Sequence, residues 1–319
     1  MTGGTVTGRT LVVLAVVSVL LLPTGAVAQD ARRVARIGLL TSMLPSDPLV
    51  EAFRQGLREL GYIDGKNVVI EYRSVATELV QLKVDVIVAS SQAAVLAKQA
   101  TTTIPIVMPI ITDPVRLGLV ASLASPGGNA TGFATQNDEL PGKWLALLKE
   151  ALPRVSRVAV LFHPSYDGGV QSKASEAAAR SLDLQMQRID VEGPDDFAVA
   201  FERVQKTRSE ALVVSSSPLF YGQRTRLVDF AAKHRLPTIY HQSEFVIESG
   251  GLMSYGPDFR DLMRRSATYV DKILKGARPG DLPVQQPTRF ELVINRKTAH
   301  QLGLTLPERL FLRADRVVD

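Results

Sequence analysis

The sequence predicts an α/β protein built as two doubly wound parallel-sheet lobes joined by a multi-segment hinge, and three observations carry that prediction. One strand–helix plan occurs twice. Val34-Ala-Arg-Ile-Gly-Leu-Leu40 precedes an expected helix from about Pro48 to Leu60, and Val155-Ser-Arg-Val-Ala-Val-Leu-Phe162 precedes an Ala-rich helix ending near Leu182. Later strands correspond as well: residues 85–91 match residues 211–217, and residues 104–107 match residues 236–239. The strands are also short apolar runs rather than alternating ones, as parallel strands covered on both faces require. Strand alternating with helix predicts a doubly wound sheet in each unit. Two such lobes leave a cleft between them.

In chain order, residues 1–28 form an expected export leader. Arg9 supplies its positive start, residues 11–22 its apolar run, and Ala26-Val-Ala28 an A-x-A cleavage site. That run is shorter than the roughly 18 residues needed to span a bilayer. Lobe 1 is expected over 29–134 and opens with a helix whose apolar face is Val50, Phe53, Leu57 and Leu60, stopped by Gly61. Residues 74–81 are nearly all that remains between the second strand and the segment leading to Val84, room for a helix of barely two turns. Gly-rich 126–132 closes the unit, and 133–136 crosses to lobe 2, expected over 135–253. There Leu140, Trp144, Leu147 and Leu148 mark a helix face and assign Trp144 to the core. A return to lobe 1 is expected over 254–284, through Leu262, Tyr269 and Ile273. A last strand and helix fall in 285–319, with their lobe left open. Several short crossings suit a bending hinge.

Composition excludes several classes. Cysteine is absent, so disulfides, thiolate metal sites, cysteine nucleophiles and a lipid-modified cysteine after the leader are all impossible. Each lobe is long enough to bury its own core without such staples. The net charge of +5 and pI near 9.4 come from basic residues interleaved with acidic ones, not from the concentrated stripe that nucleic acid requires. No G-x-S-x-G, P-loop or H-E-x-x-H motif is present, and four isolated histidines have no metal-ligand spacing. An exported hydrolase therefore lacks a visible constellation. No catalytic residue, cofactor, metal or nucleic-acid partner is expected.

Ligands of doubly wound sheets sit at the carboxyl ends of the strands. The candidate binding loops are therefore 41–47, 90–92, 112–114, 163–168, 215–221 and 240–244, with Ser42 and Ser217 among their polar residues. Ser90, Ser91 and Gln92 open a helix, where hydroxyls and free N–H groups suit a carboxylate; a plain N-cap role for Ser91 is the competing reading. Asp113 before Pro114 reads equally as a helix cap or as a partner for a ligand amine. Asp258 has the same double reading, and Glu244 is the third acidic candidate. Tyr166 and Tyr221 offer ring faces, and His163 a hydrogen-bond donor.

Six ordered blocks resemble one family: Phe53-Arg-Gln-Gly-Leu-Arg-Glu-Leu-Gly-Tyr62, Leu82-Lys-Val-Asp-Val-Ile-Val-Ala-Ser90, Asp113-Pro-Val-Arg-Leu-Gly-Leu-Val120, Ser125-Pro-Gly-Gly-Asn-Ala-Thr-Gly132, Gly250-Gly-Leu-Met-Ser-Tyr-Gly-Pro257 and Phe290-Glu-Leu-Val-Ile-Asn295. The chain resembles the substrate-binding proteins of ABC importers with the type I periplasmic-binding fold, in the group that binds tryptophan and tyrosine. The resemblance departs at 74–81, which is longer in the family. It implies a monomeric periplasmic protein that captures a small ligand, either an amino acid, aromatic by preference, or a small carboxylate. Its ligand carboxylate would rest on Ser90 and Ser91, and it would deliver to an ABC permease in the inner membrane. A sensor that presents its ligand to a receptor kinase is the alternative.

Overall fold

The computed structural model describes residues 1–4, 34–41, 43–135, 139–167 and 169–319. Residues 5–28 of the expected leader and Ser42 therefore lie outside the described residues. Residues 1–4 carry no regular structure. From Val34 onward the chain forms one compact unit with two sheets.

The first sheet contains β1 (Ala35–Leu40), β2 (Val68–Arg73), β3 (Val86–Ala89), β4 (Ile106–Ile111) and β5 (Ala130–Ala134), all parallel, in the order β2-β1-β3-β4-β5. The second contains β6 (Arg157–Phe162), β7 (Gln185–Asp190), β8 (Ala211–Val214), β9 (Thr238–Tyr240), β10 (Met253–Pro257), β11 (Phe290–Asn295) and β12 (Arg316–Val318), in the order β12-β11-β10-β9-β8-β6-β7. The plan is the same in both, extended in the second by β11, which runs antiparallel to β10, and by β12 beside it. The apolar runs form the buried strands: β3 and β8 are buried at all four positions. Such residues make no amphipathic alternation because helices cover both faces of their sheets.

The helix Pro48–Glu59 turns Leu49, Val50, Phe53 and Leu57 inward, begins at the Asp47 cap and exposes Leu60 beyond its end. It packs against the long helix Phe259–Leu274, which returns from the second sheet to the first. Gly56 makes that approach possible, since a Cβ there would overlap the Arg264 carbonyl. The short helix Ala76–Gln81 seats a fully buried Leu79 over Gly38, so the shortened segment closes its face of the sheet tightly. Burial of one such leucine contributes about 1.5–3 kcal/mol.

Two details of the crossings differ from expectation. β10 belongs to the second sheet through Pro257, so the chain leaves that sheet at Asp258 rather than Ser254. The terminal segment, open on sequence grounds, pairs β11 and β12 into the second sheet. The last crossing to the second sheet passes parallel to the first, with Gln285 bridging Phe133.

Candidate functional site

Each sheet reverses its strand order at one point, between β1 and β3 in the first and between β6 and β8 in the second, and it is there that ligands of such sheets bind. The ends of these four strands face one another. Between them lies a cavity of about 240 Å³. Thr41, Ser90, Ser91 and Gln92 line it from the first lobe; Tyr166, Ser216, Ser217, Tyr221, His241 and Gln242 line it from the second. Leu49, Val50, Met263 and Phe259 supply apolar wall. Among the described residues, no Asp, Glu, Lys or Arg lines this cavity. A second cavity of about 160 Å³ adjoins it, sharing Ser216, His241 and Phe259, and here Asp113, Arg116, Gln171 and Trp144 enter the wall.

Ser91 is the first residue of the helix Ser91–Ala100, and its backbone is left-handed at φ 51°. A side chain in that conformation costs energy that glycine would avoid. Neither serine supports the plain cap reading: Ser90 occupies the cap position and makes no side-chain cap bond. Instead the Ser91 hydroxyl lies 3.5 Å from the Tyr166 Oη, which also sits 2.9 Å from Thr112 Oγ1. Tyr166 thus reaches from the second lobe to two strand ends of the first.

A relay of contacts positions that ring. His163 follows β6, stacks on Tyr166 with centroids 6.0 Å apart, and places Nδ1 2.7 Å from Ser217 Oγ. Ser217 caps the short helix Pro218–Gly222 by accepting from the Leu219 N–H. His163 therefore orients Tyr166 rather than lining either cavity. Tyr221 makes the other bridge between lobes, its hydroxyl donating to Asp47 Oδ1 at 3.0 Å. Burial, with Asp47 and Glu244 nearby, pushes this phenol well above its ordinary range, so it stays protonated and can donate.

The acidic candidates separate. Asp113 lines the second cavity, but no helix follows: it caps a turn by accepting from the Arg116 N–H at 3.0 Å and pairs with that guanidinium at 3.6 Å. Glu244 does not reach the ligand space. It is 1 % exposed and already accepts from Arg260 Nε at 2.9 Å and from Gln242 Nε2 at 3.0 Å. Asp258 caps the helix Phe259–Leu274 through the Asp261 N–H and faces an outer groove with Arg289, away from both cavities. The strand-end geometry was legible for Ser90, Ser91, Gln92, Tyr166, Ser217 and Tyr221. Asp47, Thr112 and His241 went unselected, although each lies in or beside a loop that the strand ends had marked.

Trp144 is core, as its helical spacing implied, with Nε1 donating to the Tyr255 carbonyl at 2.7 Å, yet one face borders the second cavity. Among the described residues no helix is long and apolar enough to cross a membrane.

A cavity held between two like lobes at facing switch points is the arrangement of a small-ligand binding protein. The family comparison gives the same class: the description "ABC transporter substrate binding protein" matches residues 45–318, and the chain belongs to that family. A tyrosine-binding protein of Clostridioides difficile is 28 % identical over 297 residues, covering 86 % of this chain and 83 % of the relative. An ABC domain from Streptococcus pneumonia, solved in complex with L-Trp, superposes with a TM-score of 0.80 at 28 % identity, covering 89 % of this chain and 99 % of that one. A ligand-free, open substrate binding protein with adhesive properties from Clostridium difficile reaches 0.64 at 25 % identity, over 89 % of this chain and 99 % of that one.

Proposed function

We propose that this chain is the exported binding component of an ABC importer, holding one small ligand in the cleft and presenting the closed lobes to a permease. The observation that carries the reading is the pair of facing strand ends around one cavity, with apolar wall and with hydroxyls from both lobes, Ser90 and Ser91 on one side and Ser216 and Ser217 on the other. The ligand is an amino acid or small carboxylate with an apolar, preferably aromatic body. Its carboxylate meets the Ser91 hydroxyl and the N–H groups that open the helix Ser91–Ala100, where a helix start favours negative charge. Its body fills the larger cavity between Leu49, Met263 and Tyr221. An amine, where the ligand has one, points to the second cavity and Asp113, because Asp113 lines that cavity and Glu244 lines neither. Ligand contact with both lobes favours the closed arrangement. The tyrosine- and tryptophan-binding relatives support the amino-acid class.

A thermal-shift panel of amino acids and small carboxylates, run on protein lacking residues 1–28, tests this reading. The expected result is a raised melting temperature for a subset sharing a carboxylate and an apolar body. A panel without any stabilising member contradicts it.

A further inference from the structure

Resting on that cleft reading, we infer that His241 is a ligand-contacting specificity residue, selecting carboxylates whose apolar body carries a second hydrogen-bonding group, such as a ring hydroxyl or ring N–H. His241 follows β9, at the strand's carboxyl end, and is 2 % exposed. Its Nδ1 has no hydrogen-bond partner. The same is true of the hydroxyls of Tyr72, Ser175, Ser215, Tyr240 and Ser254, but among these described residues only His241 lines a cleft cavity, and it lines both. A buried polar atom without a partner is costly and calls for an explanation. His241 stands in the wall between the two chambers, and a ligand that reaches its ring supplies the missing partner.

The surrounding structure holds the ring in place. Phe245 packs against it edge-to-face at 5.1 Å, and Gly256 on β10 lies so close that a Cβ would overlap the His241 carbonyl. Burial lowers the imidazole pKa to about 4, with Gln242 and the Val214 carbonyl opposing the shift. Near neutral pH the ring is therefore uncharged, with one donor and one acceptor nitrogen. It recognises a neutral polar group in the middle of the ligand, while Ser90 and Ser91 take the carboxylate. A site built around such a bond rejects the analogue that lacks it far more strongly than an apolar pocket rejects a missing methylene.

The test uses two matched pairs, L-tyrosine against L-phenylalanine and 4-hydroxyphenylacetate against phenylacetate. Each is titrated calorimetrically into wild type, His241→Phe and His241→Gln. Wild type should prefer the hydroxylated member of at least one pair by about tenfold or more. His241→Phe should lose the preference, and His241→Gln, which keeps a donor and an acceptor, should retain part of it. Without ligand, His241→Phe should melt about 2 °C or more above wild type, since it removes an unsatisfied buried nitrogen. A preference that survives in His241→Phe overturns the inference. So does a fall in its ligand-free melting temperature that His241→Gln does not show, which marks the imidazole as structural. Failure of all four probes to bind wild type counts against the proposed ligand class, and the ligand-free melting temperatures then decide the role of His241 by themselves.

Discussion

The Tyr166 hydroxyl of the second lobe lies 2.9 Å from Thr112 Oγ1 of the first, and this single contact joins the end of β6 to the end of β4. With Ser91 Oγ at 3.5 Å, it makes Tyr166 a polar bridge across the mouth of the ligand space. Tyr166→Phe keeps the ring and its stacking on His163 but removes both contacts. A hydrogen bond of this kind contributes about 0.5–1.5 kcal/mol, so ligand affinity should fall by roughly two- to tenfold. Calorimetric titration with the best ligand of the thermal-shift panel checks this.

Ser91→Ala should weaken binding by at least about tenfold, because a hydrogen bond to a charged carboxylate contributes roughly 1.5–3 kcal/mol. Its ligand-free melting temperature should stay close to wild type, since the Ser91 hydroxyl makes only the long 3.5 Å contact to Tyr166. Ser91→Gly separates the two effects further. It relieves the left-handed backbone and should stabilise the protein by about 0.5–1 kcal/mol while losing the same affinity. Paired denaturation and titration on both variants provide the check.

Low pH should destabilise the protein through His241. Its folded pKa of about 4 lies below the ordinary 6.5, so the unfolded chain binds a proton more readily between those values. This pH-dependent loss is absent above about pH 6.5 and grows as pH falls towards 4, on the order of 3 kcal/mol in all. Urea denaturation of wild type and His241→Phe across that range isolates the imidazole from carboxylates titrating nearby. Parallel pH profiles for the two proteins would contradict the assignment.

Arg260→Ala should be strongly destabilising. Arg260 neutralises Glu244, which is 1 % exposed, and also pairs with Glu248. Burial and the neighbouring Glu244 already push the Glu248 pKa upward. Removing one partner of a buried ion pair costs about 3–5 kcal/mol; with Arg260 itself 38 % exposed, the lower end is expected. Chemical denaturation of the variant measures it, and Glu244→Gln in the same background should recover part of the loss.

Gly56→Ala places a methyl group against the Arg264 carbonyl, where helix Pro48–Glu59 crosses helix Phe259–Leu274. Overpacking of this kind costs about 1–3 kcal/mol. A lowered denaturation midpoint with little change in ligand affinity is expected, because neither cavity contains Gly56.

The sheet plan was legible because buried parallel strands leave an unmistakable trace: Val86–Ala89 and Ala211–Val214 are four-residue apolar runs at matching places in a repeated pattern. Strand ends then pointed to Ser90, Ser91, Tyr166 and Tyr221. Acidic side chains were the weak point. Nothing local in the sequence pairs Glu244 with Arg260, sixteen residues on, or brings Tyr221 to Asp47 across 174 residues. His241 went unselected for a related reason. An imidazole is marked as a contact residue by the absence of a partner in three dimensions, and a sequence shows only its neighbours in the chain.

Small-angle scattering, with and without a saturating ligand from the panel, tests the two-lobed binding mechanism most directly. Closure over a ligand that touches Ser91 from one side and His241 from the other predicts a smaller radius of gyration with ligand bound, and a smaller ligand-induced change in Tyr166→Phe. An unchanged radius of gyration at saturation would mean that the lobes do not move together over the ligand, and would contradict the mechanism.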